Sequence, residues 1–107
     1  TVKNADRIYV LSREGGIWSV DATRGDDIRQ LHTGEPQASS IAVDDCGRLY
    51  RAYWSGQLVV SGPRGQRSRV ALDVDQATDL WVHRDELFVA DGPGARVVVY
   101  RVSPPCR

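Results

Sequence analysis

Apolar residues in this chain come in short bursts, not in helical stripes. Residues 7–12 (RIYVLS), 17–21 (IWSVD), 28–33, 39–44 (SSIAVD), 48–54 (RLYRAYW), 57–61 (QLVVS), 69–74, 78–83 (TDLWVH), 87–91 and 96–102 each carry a run built around Val, Ile, Leu, Trp or Tyr. Turn residues separate them: Gly15-Gly16, residues 22–27, Gly34-Glu35-Pro36, Asp45-Cys46-Gly47, Ser55-Gly56, residues 62–66 and Arg84-Asp85-Glu86. Short β-branched and aromatic runs bounded in this way predict strands, and Gly-Gly between two of them predicts a hairpin. No segment sustains a helical period over ~11 residues. Pro104-Pro105 ends regular structure, because proline has no N–H to give to a ladder.

The runs are copies of one unit. Ile8-Tyr9-Val10, Leu49-Tyr50-Arg51 and Leu87-Phe88-Val89 hold equivalent places. So do Ser40-Ile41-Ala42-Val43 and Asp79-Leu80-Trp81-Val82, as do Leu31 and Val70. The spacing is about 40 residues with four short strands per unit, the pattern of a β-propeller blade. The fold class expected is all-β, with antiparallel four-stranded blades and approximate units 7–37, 38–76 and 77–107. Labelled A to D from the axis outward, the strands run B, C, D, then A to D, then A, B, C. About ten strands make roughly two and a half to three blades, an incomplete ring unless other copies or chains complete it, since propellers have about 4–8 blades. Residues 2–5 are the available makeshift A strand for the first unit.

The last unit reads Leu87-Phe88-Val89-Ala90-Asp91, a glycine-containing turn at 92–95, then Arg96-Val97-Val98-Val99-Tyr100. It resembles the NHL-repeat blade, in which a strand ending in Val-Ala-Asp is followed by a Gly-rich turn and an Arg-led strand. Residues 39–61 resemble the preceding part of such a repeat, with Ile41-Ala42-Val43-Asp44, Gly47 and Leu49-Tyr50. Tyr53 and Ser12 stand where the family has its Asp. Lactonase-type six-bladed propellers share this grammar, so the resemblance names a broad superfamily. It implies structural roles for Asp91 and Arg96, which face each other across a hairpin where a charge-assisted contact fixes the turn. Lactonase relatives bind an axial metal through carboxylate and amide ligands. Here Asn4 is the one Asn, and Asp44 and Asp79 lie at opposite ends of their inner strands, so no metal and no cofactor is expected. Asp79 is the best axial candidate.

Charge narrows the partners. Fourteen Lys+Arg balance fourteen Asp+Glu, which gives no basic stripe for nucleic acid and no polybasic anchor. No run nears the ~20 apolar residues of a membrane span, and residues 1–7 do not read as a signal peptide. Arg64, Arg67 and Arg69 form a local basic turn that Asp73, Asp75 and Asp79 offset. The two cysteines, Cys46 and Cys106, fit no zinc spacing. They are either free or joined. In the blade frame Cys46 occupies an A–B turn and Cys106 follows a C strand on the same face of the disc, which permits a disulfide and, with it, an extracellular or periplasmic setting.

No catalytic set converges. His32 and His83 are the only histidines and no GxSxG occurs. Arg24-Gly25-Asp26 spells an adhesion tripeptide in an ordinary turn composition. Trp18, Trp54 and Trp81 fall on different strands, which predicts inter-blade packing for them, with Trp54 the exposed exception. Trp54, Asp79 and His83 are the ligand-binding candidates. The reading that results is a non-catalytic propeller segment serving as a protein-interaction or ligand-binding scaffold, completed by a protein partner or by self-association. The alternatives are a part of a lactonase- or hydrolase-like enzyme whose active residues lie outside this chain, and a small oligomeric lectin taking a glycan.

Overall fold

The structure, a computed structural model, describes residues 2–4, 7–12, 16–21, 23–32, 38–62 and 64–102. They form eleven strands in three antiparallel sheets and no helix. The first sheet runs β1 (Val2–Asn4), β2 (Arg7–Leu11), β3 (Ile17–Asp21) and β4 (Arg29–His32). The second runs β5 (Ser40–Val43), β6 (Leu49–Ala52), β7 (Gln57–Ser61) and β8 (Arg67–Ala71). The third holds β9 (Ala77–His83), β10 (Glu86–Asp91) and β11 (Arg96–Arg101). Each strand pairs with its sequence neighbour, so every sheet is an up-and-down meander. β1 adds an eleventh strand by pairing Val2 with Tyr9.

Several strand boundaries differ from the sequence pattern, and Trp54, expected at the end of a strand, lies beyond β6; at two places the local reason is plain. The run expected at 69–74 begins two residues earlier, because Arg67 pairs with Ser61 across the sheet. It ends at Ala71, because the Leu72 N–H turns away to the Gly56 carbonyl (2.8 Å). The third A–B turn closes at Arg84-Asp85. Arg84 takes a positive φ of 58°, and Glu86 is already in β10, opposite His83.

The innermost strands β1, β5 and β9 lie side by side, so the sheets fan out from one edge. Serines hold that edge together. Ser39 Oγ donates to the Ala77 carbonyl (2.7 Å), and Ser40 Oγ donates to Asp79 Oδ1 (3.0 Å) while accepting the Leu80 N–H (3.1 Å). Alternation along the strands gives each sheet two faces. Ala42, Tyr50, Ala52 and Leu58 of the second sheet pack on Leu80, Leu87 and Val89 of the third. On its other side, Ile41 and Leu49 meet Ile17, with Tyr9 and Leu11 alongside, from the first sheet.

Asp44, at the end of β5, organises the second A–B turn. Its Oδ1 accepts the Cys46 and Arg48 N–H groups (3.0 and 2.9 Å). Its Oδ2 accepts Arg48 Nε (2.6 Å) and the Tyr50 hydroxyl (2.8 Å). Burial first, then the carboxylate beside it, pushes the Tyr50 phenol well above its ordinary range. A folded pKa above the unfolded one means this contribution is whole below pH ~10 and is lost as pH rises beyond that. Tyr50→Phe is expected to cost about 1 kcal/mol, since one charged acceptor loses one donor among several. It should also reduce the wild type's loss of stability above pH ~10; urea unfolding at pH 7 and at pH 10.5 measures both.

Candidate interaction surfaces

Chemistry-bearing residues are placed by the same alternation. On the third sheet Leu80, Leu87, Val89, Asp91 and Tyr100 point to the second sheet. The residues between them, Trp81, Phe88, Ala90, Val97 and Val99, form the opposite face. Among the described residues no sheet covers that face, and Trp81 is 63% and Val97 60% exposed. Trp81 stacks on Phe88, centroids 5.0 Å apart. The first sheet repeats the situation in mirror order. Its Tyr9, Leu11, Ile17 and Ser19 face the second sheet, while Ile8, Val10, Trp18 and Val20 lie on the bare side, with Trp18 38% exposed.

Within this chain neither Trp18 nor Trp81 packs between two sheets. Both point away from the chain's own interfaces, toward positions where a further blade would stand. Trp54 sits in the β6–β7 turn and is 52% exposed. His83 ends β9 at the opposite edge of the disc from Trp54, and Asp79 bridges to Ser40 near the inner edge. Antiparallel topology keeps Trp54 and His83 apart, so the three ligand candidates do not form one site. Among the described residues no three His, Cys, Asp or Glu side chains gather as a metal site. The His32 side chain lies outside the described residues. In the 23–28 turn, Arg24 Nε comes within 3.4 Å of Asp26, so the two charges of the Arg-Gly-Asp tripeptide meet each other.

Asp91 is 1% exposed and accepts from four groups. The Asp75 and Gln76 N–H groups approach at 3.1 and 3.3 Å, the Gly94 N–H at 3.2 Å and Arg96 Nε at 3.3 Å. The carboxylate therefore ties the β10–β11 turn to the linker that leads from β8 into β9. Burial opposes its charge, yet the Asp75, Gly94 and Gln76 N–H groups and the Arg96 guanidinium hold its pKa below the usual carboxylate range. Arg96 also donates to the Asp73 carbonyl (2.8 Å). A side chain on Gly94 would collide with the Asp91 carboxylate, which explains glycine there. Tyr53 occupies the equivalent place in the second sheet and meets its linker through apolar contact with Ala38, Val59 and Leu11.

Cys46 is exposed in the β5–β6 turn. Cys106, and with it the expected pairing, lies outside the described residues.

Two clefts separate the sheets. A cavity of about 580 Å³ between the second and third is lined by Tyr50, Leu58, Val60, Val70, Tyr100 and Val102 among others. One of about 440 Å³ between the first and second includes Tyr9, Ser19, Arg29, Arg51, Ser61 and Arg67. The arginine face of this second cleft was missed in the sequence. Its signal is Arg51 set inside an apolar strand, two residues from Leu49 and Tyr53 on the same face. Arg67 and Arg69 lie in β8, whereas Asp73 and Asp75 follow at its far end and Asp79 belongs to the third sheet, so these carboxylates do not offset the basic residues locally.

No protein-family model matches the chain, and no curated protein matches it. Among solved structures it is similar to BamB from Moraxella catarrhalis, with a TM-score of 0.70 and 17% identity over 94% of this chain and 30% of that one. The chain thus spans under a third of that structure's length. Three four- or three-stranded meanders fanned around β1, β5 and β9, with this likeness, give the fold: a partial β-propeller.

Proposed function

We propose that the chain is a non-catalytic scaffold segment of a β-propeller, completed by a second copy of itself docking head to tail. The observation that carries this reading is the pair of bare apolar faces. Within the chain, the Leu80–Leu87–Val89 side of one sheet covers the Ala42–Tyr50 side of its neighbour, and this left-to-right fit recurs between the first two sheets. The bare face around Trp81 and Phe88 holds the positions equivalent to Ala42 and Tyr50, and the bare face around Trp18 holds, at Ile8 and Val10, those equivalent to Leu87 and Val89. Each therefore suits the other on a second molecule, a heterologous contact that closes a ring when its rotation allows. The mass in solution tests it. A multiple of 11.9 kDa is expected at micromolar concentration. A monomer at all concentrations overturns it and points to blades of a different polypeptide. The NHL-like turn at Asp91 and Arg96 belongs to this reading as blade architecture.

The same frame supports a bond between Cys46 and Cys106. Iodoacetamide is expected to leave the mass unchanged until the protein is reduced, and then to add to both cysteines. Labelling of Cys46 without reductant counts against the bond.

A further inference from the structure

β11 is the outer strand of a three-stranded sheet. The strands in its place in the other two sheets, β3 and β7, each carry a further strand on their outer side. Composition follows this difference. The outermost strands β4 and β8 read RQLH and RSRVA, and their charged residues blunt an edge against further pairing. β11 reads RVVVYR, with Val97, Val98, Val99 and Tyr100 between its arginines, and so resembles the covered strand β7 (QLVVS). Its outer edge has backbone groups to offer. The Val102 N–H donates to the Asp85 carbonyl (2.7 Å), and bonding alternates along an antiparallel ladder. Arg96, Val98 and Tyr100 therefore turn their N–H and C=O groups to β10, while Val97, Val99 and Arg101 turn theirs outward. Among the described residues no strand pairs with that edge.

A groove runs beside it. The core shared by the second and third sheets, at Leu58 and Leu87, continues outward through Val60, Tyr100 and Val102. Beyond these the second sheet goes on with β8, whereas the third sheet stops at β11. One wall is thus a strand deeper than the other. The space in front of Ser68 and Val70 belongs to the cleft of about 580 Å³. Paired strands stand ~4.8 Å apart and facing sheets ~10 Å apart, so the step has the width of one extended chain. We propose that β11 and this cleft form a strand-addition site for an extended peptide segment. The segment lies antiparallel to β11 and turns aliphatic side chains, at alternate positions, toward Val70. Its main chain pairs with Val97, Val99 and Arg101, and its aliphatic residues prolong the core that the two sheets already share. The site is separate from head-to-tail assembly, which uses the faces around Trp81 and Trp18.

The test is an NMR titration of the full chain with the pentapeptide acetyl-Thr-Val-Thr-Val-Thr-amide, as long as β8, with mass in solution recorded alongside. Saturable shifts centred on the amides of Val97, Val99 and Arg101 are expected, with hydrogen exchange there slowed at least tenfold. Residues that pair with these three share their side-chain face, away from the cleft, so the threonines supply the bonding N–H groups. N-methylation of the threonines is expected to abolish binding, and N-methylation of the valines to preserve it. Val99→Pro removes one outward donor and spares the bonds to β10; it should weaken the peptide at least tenfold. Val70→Glu, at a 45% exposed position on the cleft wall, should do the same. Leu31→Glu, at the matching place in the first sheet and equally exposed, should bind as wild type does. Absence of shifts at the three amides, or shifts confined to Trp81 and Phe88, overturns the site. Equal binding of the threonine-methylated peptide, or wild-type affinity in both Val99→Pro and Val70→Glu, overturns it as well. The mass reports assembly and the amide shifts report the edge, so the two readings fail separately.

Discussion

Replacing Asp91 by Ala is expected to lower the unfolding midpoint by about 15 °C. The reason is the number of groups left behind. Four donors from three segments meet one buried carboxylate; removing it leaves the Asp75, Gln76 and Gly94 N–H groups without that acceptor while keeping their desolvation cost, whereas Arg96 retains the Asp73 carbonyl. Asp91→Asn retains one carbonyl oxygen and should fall between Ala and wild type. pH separates this account from simple cavity formation. Because the folded pKa is depressed, the stabilisation is present above the unfolded value of ~3.9 and is lost as pH falls through the folded one. Thermal scans of wild type should therefore lose stability below pH ~4, and the same scans of Asp91→Asn should show a flatter acid limb. Parallel acid limbs in the two proteins would sink the assignment.

How far the sequence speaks depends on whether a property is periodic. The spacing of about 40 residues locates the blades, because every strand must alternate to bury one face and the alternation recurs whole. Asp91 lies opposite Arg96, a pairing suggested by the resemblance of the last unit to the NHL-repeat pattern and not by periodicity, since Tyr53 and Ser12 hold the equivalent places in the other units. The exposure of Trp18 and Trp81 within the chain was not legible, because alternation reveals that a residue has a face but not whether a sheet stands over it. Only the count of sheets answers that. Arg51 was missed as part of a charged cleft because its partners Arg67 and Arg69 lie on a different strand. Their meeting depends on the register of β7 with both neighbours, and register is set by long-range pairing. Tyr53 shows the limit of motif reading. It stands where the NHL-repeat pattern has Asp, and the turn-to-linker junction is held there by apolar packing.

The substitutions Trp81→Glu and Trp18→Glu are each expected to hold the chain as a monomer at concentrations where the wild type assembles, a loss of 100-fold or more in association. A charge placed at the centre of an apolar contact must be buried unpaired, and large aromatic residues at such centres carry much of the binding. Neither change should alter the unfolding of the monomer much, since both side chains point away from the chain's own cores. The decisive experiment is the mixture. A head-to-tail contact joins the Trp81 face of one molecule to the Trp18 face of the next. Trp81→Glu keeps a sound Trp18 face, and Trp18→Glu keeps a sound Trp81 face. Mixed, the two variants possess one intact contact between them and two spoiled faces at the outer ends. They should form a one-to-one dimer that grows no further, visible as about twice 11.9 kDa by light scattering. An isologous contact, with the Trp81 faces meeting each other, predicts the reverse. In that case Trp18→Glu alone would still dimerise and mixing would create no new species. A ring completed only by blades of another protein predicts monomers in every tube, wild type included. The first outcome is the one expected from the two bare faces, since they hold the positions equivalent to the two sides that meet between the second and third sheets.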